Sequence, residues 1–158
     1  MRVGQGFDIH PLVAGRPLWL GGVLVPYDRG LEGDSDGDVL LHAVMDALLG
    51  AAGLGDIGTR FPRGSVPPGQ PSRPLLERVA AEVRQAGWTV GNLDATVVAE
   101  RPQLGPYRRA MEQVLADVLG TTAVAVKFKT ADRLGAIGAG AGMAAYVVVL
   151  LEKSDARR

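Results

Sequence analysis

Between Asp34 and Gly53 the apolar residues Val39, Leu40, Ala43, Val44, Ala47 and Leu48 recur as they would on the buried side of a helix. A helix with so continuous an apolar side needs a surface to cover it. The opening MRVGQGFDIHPL carries a different period, with apolar and polar residues alternating through Val3, Phe7 and Ile9 as along a strand, before Pro11 disrupts it. Asp38 stands where an N-cap would start the helix.

The rest of the chain mixes the same two signals. RPLWLGGVLVPYDRG reads as a short strand or hairpin closed by Gly30. GDIGTRFPRGSVPPGQP, from Gly55 to Pro71, is dense in Gly and Pro and predicts a long surface loop, a kind of segment that is often functional. Ser72 is placed to cap a second helix with the stripe Leu75, Leu76, Val79 and Val83, ending near Gly87. The strand GNLDATVVAE follows, then the turn RPQLGP and a third helix carrying Met111, Val114, Leu115, Val118 and Leu119, stopped by Gly120. The strands AVAVKFKT and MAAYVVVLLE, separated by a glycine-rich loop, precede a polar tail from Lys153 to Arg158. With 158 residues and 47% hydrophobic content, one domain spanning residues 1–158 is expected. Strands and helices without strict alternation predict an α+β fold, its helices layered on one face of a mixed β-sheet.

The 17 basic and 17 acidic residues cancel, so no global field attracts nucleic acid or an anionic membrane, and any anionic ligand must be held locally. No apolar run approaches the roughly 20 residues of a membrane span, and MRVGQG lacks the pattern of a secretory signal. A cytoplasmic protein is expected. The absence of cysteine removes disulfides, thiolate metal sites and cysteine nucleophiles together, leaving imidazole and carboxylate for metal chemistry.

The chain has only two histidines, which makes their surroundings informative. Asp8 and His10, two apart on a strand, project from one face and form half a metal site. His42 on the first helix would complete a set of two imidazoles and one carboxylate, with a fourth tetrahedral position open. The plainer account makes His42 a satisfied core or rim histidine and Asp8 a turn-former. Asp46, one turn after His42, is placed to orient that imidazole or to bind substrate hydroxyls, unless it is an ordinary exposed carboxylate.

Other motifs fail or stay open. Asp34, Asp36 and Asp38 suggest a calcium loop, but its sixth position is Val39 and its twelfth Met45. Gly4 and Gly6 meet Ile9, and Gly138 and Gly140 meet Met143, where a dinucleotide fingerprint requires a third glycine. Lys127, Lys129, Thr130 and Arg133 beside flexible backbone form either a phosphate-binding neighbourhood or a solvated loop.

Taken together, GFDIHPL, SDGDVLLHAVMDALLGAAGLGDIGTRFP, LDATVVAERPQLGP and VKFKT resemble one family across essentially the whole chain. They are similar to the 2-C-methyl-D-erythritol 2,4-cyclodiphosphate synthases of non-mevalonate isoprenoid biosynthesis. The resemblance implies a homotrimer with sheets facing the trimer axis and active sites between neighbouring subunits. It implies zinc on Asp8, His10 and His42, and a second ion, Mg or Mn, bridging the substrate phosphates and reached by Asp132. The implied substrate is 4-diphosphocytidyl-2-C-methyl-D-erythritol 2-phosphate, whose 2-phosphate attacks its own β-phosphorus, expels CMP and closes a cyclic diphosphate. No protein nucleophile is needed. By position, Asp56, Ile57 and Gly58 hold the methylerythritol part with help from Asp46. Ala99, Pro102, Gln103, Leu104 and Gly105 form the turn that reads cytosine. Thr130 meets the phosphates in the transition state, and Asp8, His10, Ser35, Lys129 and Asp132 complete the substrate contacts.

Departures from the family pattern carry their own expectations. Asp34 replaces a histidine that stabilises the pentacoordinate phosphorus, which predicts reduced turnover; the alternative function is a catalytically impaired, trimeric metal- and cytidine-nucleotide-binding homologue. Arg63, Gly64, Ser65 and Val66 replace an acidic run after Phe61 and Pro62. Lys129 and Thr130 replace a threonine pair, and Asp132 a glutamate. Ala139 removes an arginine of the central channel, which predicts no useful affinity for isoprenoid diphosphates.

Overall fold

In a computed structural model, which describes residues 1–154, the alternating opening forms the long strand β1 (Arg2–Ala14). Its continuation past Pro11 departs from the expectation that proline ends it. The strand changes partner there: Arg2 to Pro11 pair antiparallel with β7 (Gly142–Lys153), and Leu12 to Ala14 pair with β4 (Arg29–Leu31). Pro11 lacks an N–H, but its carbonyl accepts from Glu32 N at 2.9 Å, so it serves the changeover.

The main sheet has the order β4-β1-β7-β5-β6, with β5 (Trp88–Val98) and β6 (Val124–Lys129) the one parallel pair. It is therefore mixed, as expected. The segment before β4 forms a small hairpin, β2 (Leu18–Leu20) with β3 (Val23–Val25), turned by Gly21 and Gly22; Gly30 lies inside β4 and does not close it.

The helices α1 (Val39–Ala52), α3 (Ser72–Gln85) and α4 (Arg108–Leu119) cover the sheet face that carries Leu93, Ala95, Val97, Val126, Val147 and Val149, all buried. Twelve of the fourteen residues of α1 are buried, so this helix is interior on nearly every side and not amphipathic in the ordinary sense. Asp38 caps it as expected, accepting from Leu41 N. The predicted loop contains one helical turn, α2 (Ile57–Arg60), and a second short turn, α5 (Gly135–Gly138), precedes β7. Ser72 is the first residue of α3 and makes no cap; the cap position falls on Pro71. Lys153 belongs to β7, and the remainder of the predicted tail beyond Ser154 lies outside the described residues.

The opposite face of the sheet is open and apolar, with Val3, Phe7, Ile9, Tyr146 and Val148 exposed. Phe7 and Tyr146 pack across strands with ring centroids 4.9 Å apart and planes tilted by 46°.

Candidate metal centre

Gly4, Gly6, Asp8 and His10 occupy alternate positions of β1 and share the face that meets α1. The two glycines explain how close that meeting is. A Cβ on Gly4 would lie 2.0 Å from the Ala47 carbonyl oxygen, and one on Gly6 would lie 1.9 Å from that of Ala43. The helix backbone is seated directly on the strand. Where the glycines end, Asp8 and His10 begin, beside His42 in the first turn of the helix. The sequence pattern that fails as a dinucleotide fingerprint is thus the track on which the helix lies.

The three predicted ligands converge. Asp8 Oδ2 lies 2.8 Å from His10 Nε2 and 3.0 Å from His42 Nδ1, and the two imidazole nitrogens are 3.3 Å apart. All three side chains are mostly buried. His10 Nδ1 pairs with the Glu32 carbonyl, which can only accept, so that nitrogen carries the proton and Nε2 presents a lone pair. A carboxylate and imidazole lone pairs crowded into one spot are a donor set for a divalent cation, and the three residues form a group that can hold a metal ion.

Burial opposes ionisation of Asp8, yet hydrogen bonds and charge from His10 and His42 outweigh it and lower the carboxyl to about 2. Burial likewise opposes charging of His10, but Asp8 and the Glu32 carbonyl prevail and raise its value. A proton on His10 and a bound cation therefore answer the same need.

The centre opens into a cleft of about 720 Å³ whose lining includes Asp34, Ile57, Gly58, Phe61, Pro62 and Arg63. Asp56 caps α2 by accepting from Thr59 N at 2.7 Å, and this bond lowers its pKa. Asp46 does not orient His42 as the sequence suggested. Its Oδ1 accepts from Ile57 N at 2.8 Å, tying the GDIG turn to α1, while burial raises its pKa. Asp34 stands at the rim, half exposed, 3.8 Å from the exposed Arg63 guanidinium. Ser35 is buried, with its hydroxyl 3.0 Å from His42 Nε2.

The remaining predicted residues gather elsewhere. Ala99, Pro102, Gln103, Leu104, Gly105, Lys129 and Thr130 line a separate cavity of about 280 Å³ at the ends of β5 and β6. Asp132 lies beside it, accepting from the Thr130 hydroxyl at 3.1 Å, and has a backbone φ of 50°. The sheet order puts β6 three strands from β1, roughly 14 Å at ordinary strand spacing. One chain thus carries two separated clefts.

Some contributors had no sequence signal. Arg16 donates to the carbonyls of Gly33 at 3.1 Å and Ser35 at 2.7 Å, fixing the turn that holds Asp34. Its place in an aperiodic loop gave no hint of this. Glu32 acts through its backbone alone. In the loop before β7, Arg29 donates to the Gly140 carbonyl at 2.9 Å, which gives Gly138 to Gly142 a cation from β4.

Comparison with known proteins agrees with this layout. The YgbB family matches residues 1–152. A relative from Desulfatibacillum aliphaticivorans named 2-C-methyl-D-erythritol 2,4-cyclodiphosphate synthase is 55% identical, over 96% of this chain and all of its own length. The bifunctional IspDF of Campylobacter jejuni superposes with a TM-score of 0.92 at 38% identity, covering 99% of this chain and 43% of that protein. A CDP complex of IspF from Plasmodium falciparum superposes with a TM-score of 0.86 at 31% identity, covering 98% of this chain and 97% of the other. With its glycine track, its aspartate and two histidines and these matches along nearly its full length, the chain belongs to the YgbB family.

Proposed function

We propose that this chain converts 4-diphosphocytidyl-2-C-methyl-D-erythritol 2-phosphate to 2-C-methyl-D-erythritol 2,4-cyclodiphosphate and CMP. The observation that carries this reading is the convergence of Asp8, His10 and His42 at the floor of a cleft walled by the GDIG turn, in a chain 55% identical to a protein of that name. In the reaction an oxygen of the substrate's 2-phosphate attacks the β-phosphorus, and the bond from that phosphorus to the oxygen bridging to CMP breaks.

Asp8, His10 and His42 are the ligands for a zinc ion, and Asp132 is the protein contact for a magnesium or manganese ion at the phosphates. When bound, these ions supply Lewis-acid polarisation and charge neutralisation at phosphoryl oxygens. The protein's own part is positioning. Ile57 and Gly58, anchored by Asp46, form the wall for the methylerythritol unit, and Asp56 keeps one carboxylate oxygen free of its cap bond to accept from a hydroxyl. In the second cleft, backbone from Ala99 to Gly105 faces the cytosine, while Lys129 and the Thr130 hydroxyl offer a charge and a donor to the phosphates.

A single substrate that touches both clefts requires a homotrimer in which the metal cleft of one copy meets the cytidine cleft of the next. The exposed apolar sheet face supports this assembly, since Val3, Phe7, Ile9, Tyr146 and Val148 are covered when three sheets face a common axis. The cytoplasm is the compartment that fits a cysteine-free biosynthetic enzyme.

The test is CMP release from the substrate with zinc and magnesium supplied, wild type against His42→Ala. Metal-dependent release by the wild type alone is expected. No release from a folded, zinc-loaded wild type would favour the impaired nucleotide-binding homologue, for which Asp34 at the cleft rim is the favouring observation; Asp34→His would then restore turnover.

A further inference from the structure

We infer that Glu82 is a positioning residue for the metal cleft: from α3, through Arg60 and Arg78, it holds the cleft wall of residues 57–61 in place. The inference rests on the reading of that wall as the seat of the methylerythritol unit. The start of the wall is tied to α1 by Asp46, which accepts from the Ile57 amide at 2.8 Å. Its far end has a different anchor. Arg60 Nη1 lies 3.2 Å from Glu82 Oε2. The Arg78 guanidinium, whose Nε is 3.4 Å from Glu82 Oε1, stands 5.3 Å from the centre of the Phe61 ring. Each oxygen of one carboxylate thus holds a guanidinium, and one of these covers an aromatic ring that lines the cleft.

The chain beyond Phe61 offers no substitute for this anchor. Among the described residues, no backbone hydrogen bond ties residues 62–68 to α1, α3 or the sheet. The Ser65 amide returns to the Pro62 carbonyl, and the next attachments come where Gly69 donates to the Asp34 carbonyl and Asp36 to that of Gln70, both at 3.0 Å. Arg63 comes only within 3.8 Å of Asp34, with both side chains exposed.

Burial separates Glu82 from an ordinary carboxylate on a helix surface. Its side chain is 22% exposed and that of Arg60 33%, whereas Arg73 and Glu77, an i, i+4 pair on the same helix, are 46% and 52% exposed. Among the described residues, the buried side-chain polar atoms without an aligned hydrogen bond are Arg60 Nε and Glu82 Oε2. Charge, more than bond direction, therefore holds the two together, and removing one charge leaves the other in a poorly solvated place without its counterion. The wall meets the carbon part of the substrate, which the reaction leaves unaltered. Its placement acts alike on ground state and transition state, so loosening it raises KM and spares kcat.

The test compares Glu82→Gln, which keeps the side chain's shape and removes its charge, with Glu77→Gln, which removes the same charge from the same helix. The amides of Arg60 and Phe61 bond to the carbonyls of Asp56 at 3.1 Å and Ile57 at 2.7 Å. In Glu82→Gln they are expected to exchange with deuterium about 3- to 10-fold faster. KM in the CMP-release assay should rise by a similar factor with kcat unchanged, and Glu77→Gln should match the wild type in both. Arg60→Gln is expected to reproduce Glu82→Gln, and the double variant to add little to either. Exchange or KM in Glu82→Gln equal to that of Glu77→Gln would overturn the inference, as would a fall in kcat at constant KM. A wild type that releases no CMP would refute the synthase reading, and amide exchange alone would then decide whether Glu82 holds the wall.

Discussion

Replacing Gly6 by alanine should unseat α1 from β1. The added Cβ would lie 1.9 Å from the Ala43 carbonyl oxygen, against about 3.4 Å for ordinary contact, and 2.9 Å from two further backbone atoms. None of these is a flexible side-chain end that can swing aside. Helix and strand must separate by about 1.5 Å at a point one residue from His42. Overpacking typically costs 1–3 kcal/mol, and a backbone obstacle puts this variant at about 3 kcal/mol or more. For a chain of this length that corresponds to a fall in melting temperature of roughly 6–12 °C. The assay is thermal unfolding at fixed protein concentration, with zinc affinity measured on the same samples at a temperature where both proteins are folded. Gly50→Ala is the matched control, because Gly50 is a glycine of the same helix with nothing within 4 Å of its would-be Cβ. It should raise stability by up to about 1 kcal/mol. If Gly6→Ala melts and binds zinc like the wild type, α1 is not seated on the strand backbone and the account of how His42 reaches Asp8 fails.

Asp38→Ala should cost about 3 kcal/mol, because the carboxylate accepts from Gly21, Gly22 and Leu41 amides and its loss strands all three donors; an unchanged urea midpoint would contradict this. In the metal-free protein, Asp8 is lowered from 3.8 to about 2, so the stability it contributes is complete above its unfolded value and is lost as pH falls toward 2. Asp8→Asn should therefore lose less stability than wild type between pH 4 and 2, and equal losses would refute the assignment. Arg63→Ala should change stability by less than about 0.5 kcal/mol, since its pair with Asp34 is solvent-exposed; a larger fall would give that pair a structural role. Saturating zinc should raise the melting temperature of the wild type and leave that of His42→Ala unmoved, and a zinc response in the variant would relocate the metal.

The elements that announced themselves were those whose period is set by a single interface. The stripe from Val39 to Leu48 and the cap at Asp38 were legible because helix geometry and one packing partner determine them. The ligand set was legible because Asp8 and His10 share a strand face, and two histidines leave few combinations. Pro11 misled because local propensity cannot show a strand exchanging one neighbour for another. Ser72 misled because its hydroxyl has two possible customers, the helix amides and Asp36, and only the tertiary structure puts Asp36 within reach. The i to i+4 spacing leaves Asp46 open between His42, a substrate hydroxyl and solvent, and it cannot show that its partner is the amide of Ile57, eleven residues on. The spacing of Gly4 and Gly6 points toward a nucleotide motif, whereas the constraint on them comes from the backbone of Ala43 and Ala47, distant in sequence.

The interior placement of α1 separates two clocks. A helix buried on nearly all sides and wedged against the longest strand belongs to the part of the molecule that opens last, so its amides should exchange with solvent only on near-complete unfolding. Asp8, His10 and His42 all ride on that unit. An ion held by them cannot escape by fraying of its own ligands, and must leave through the solvent side of the cleft, past Phe61, Pro62 and Arg63. Substitutions in that wall should change the rate of metal exchange at constant stability, and substitutions that hasten global unfolding should leave it untouched.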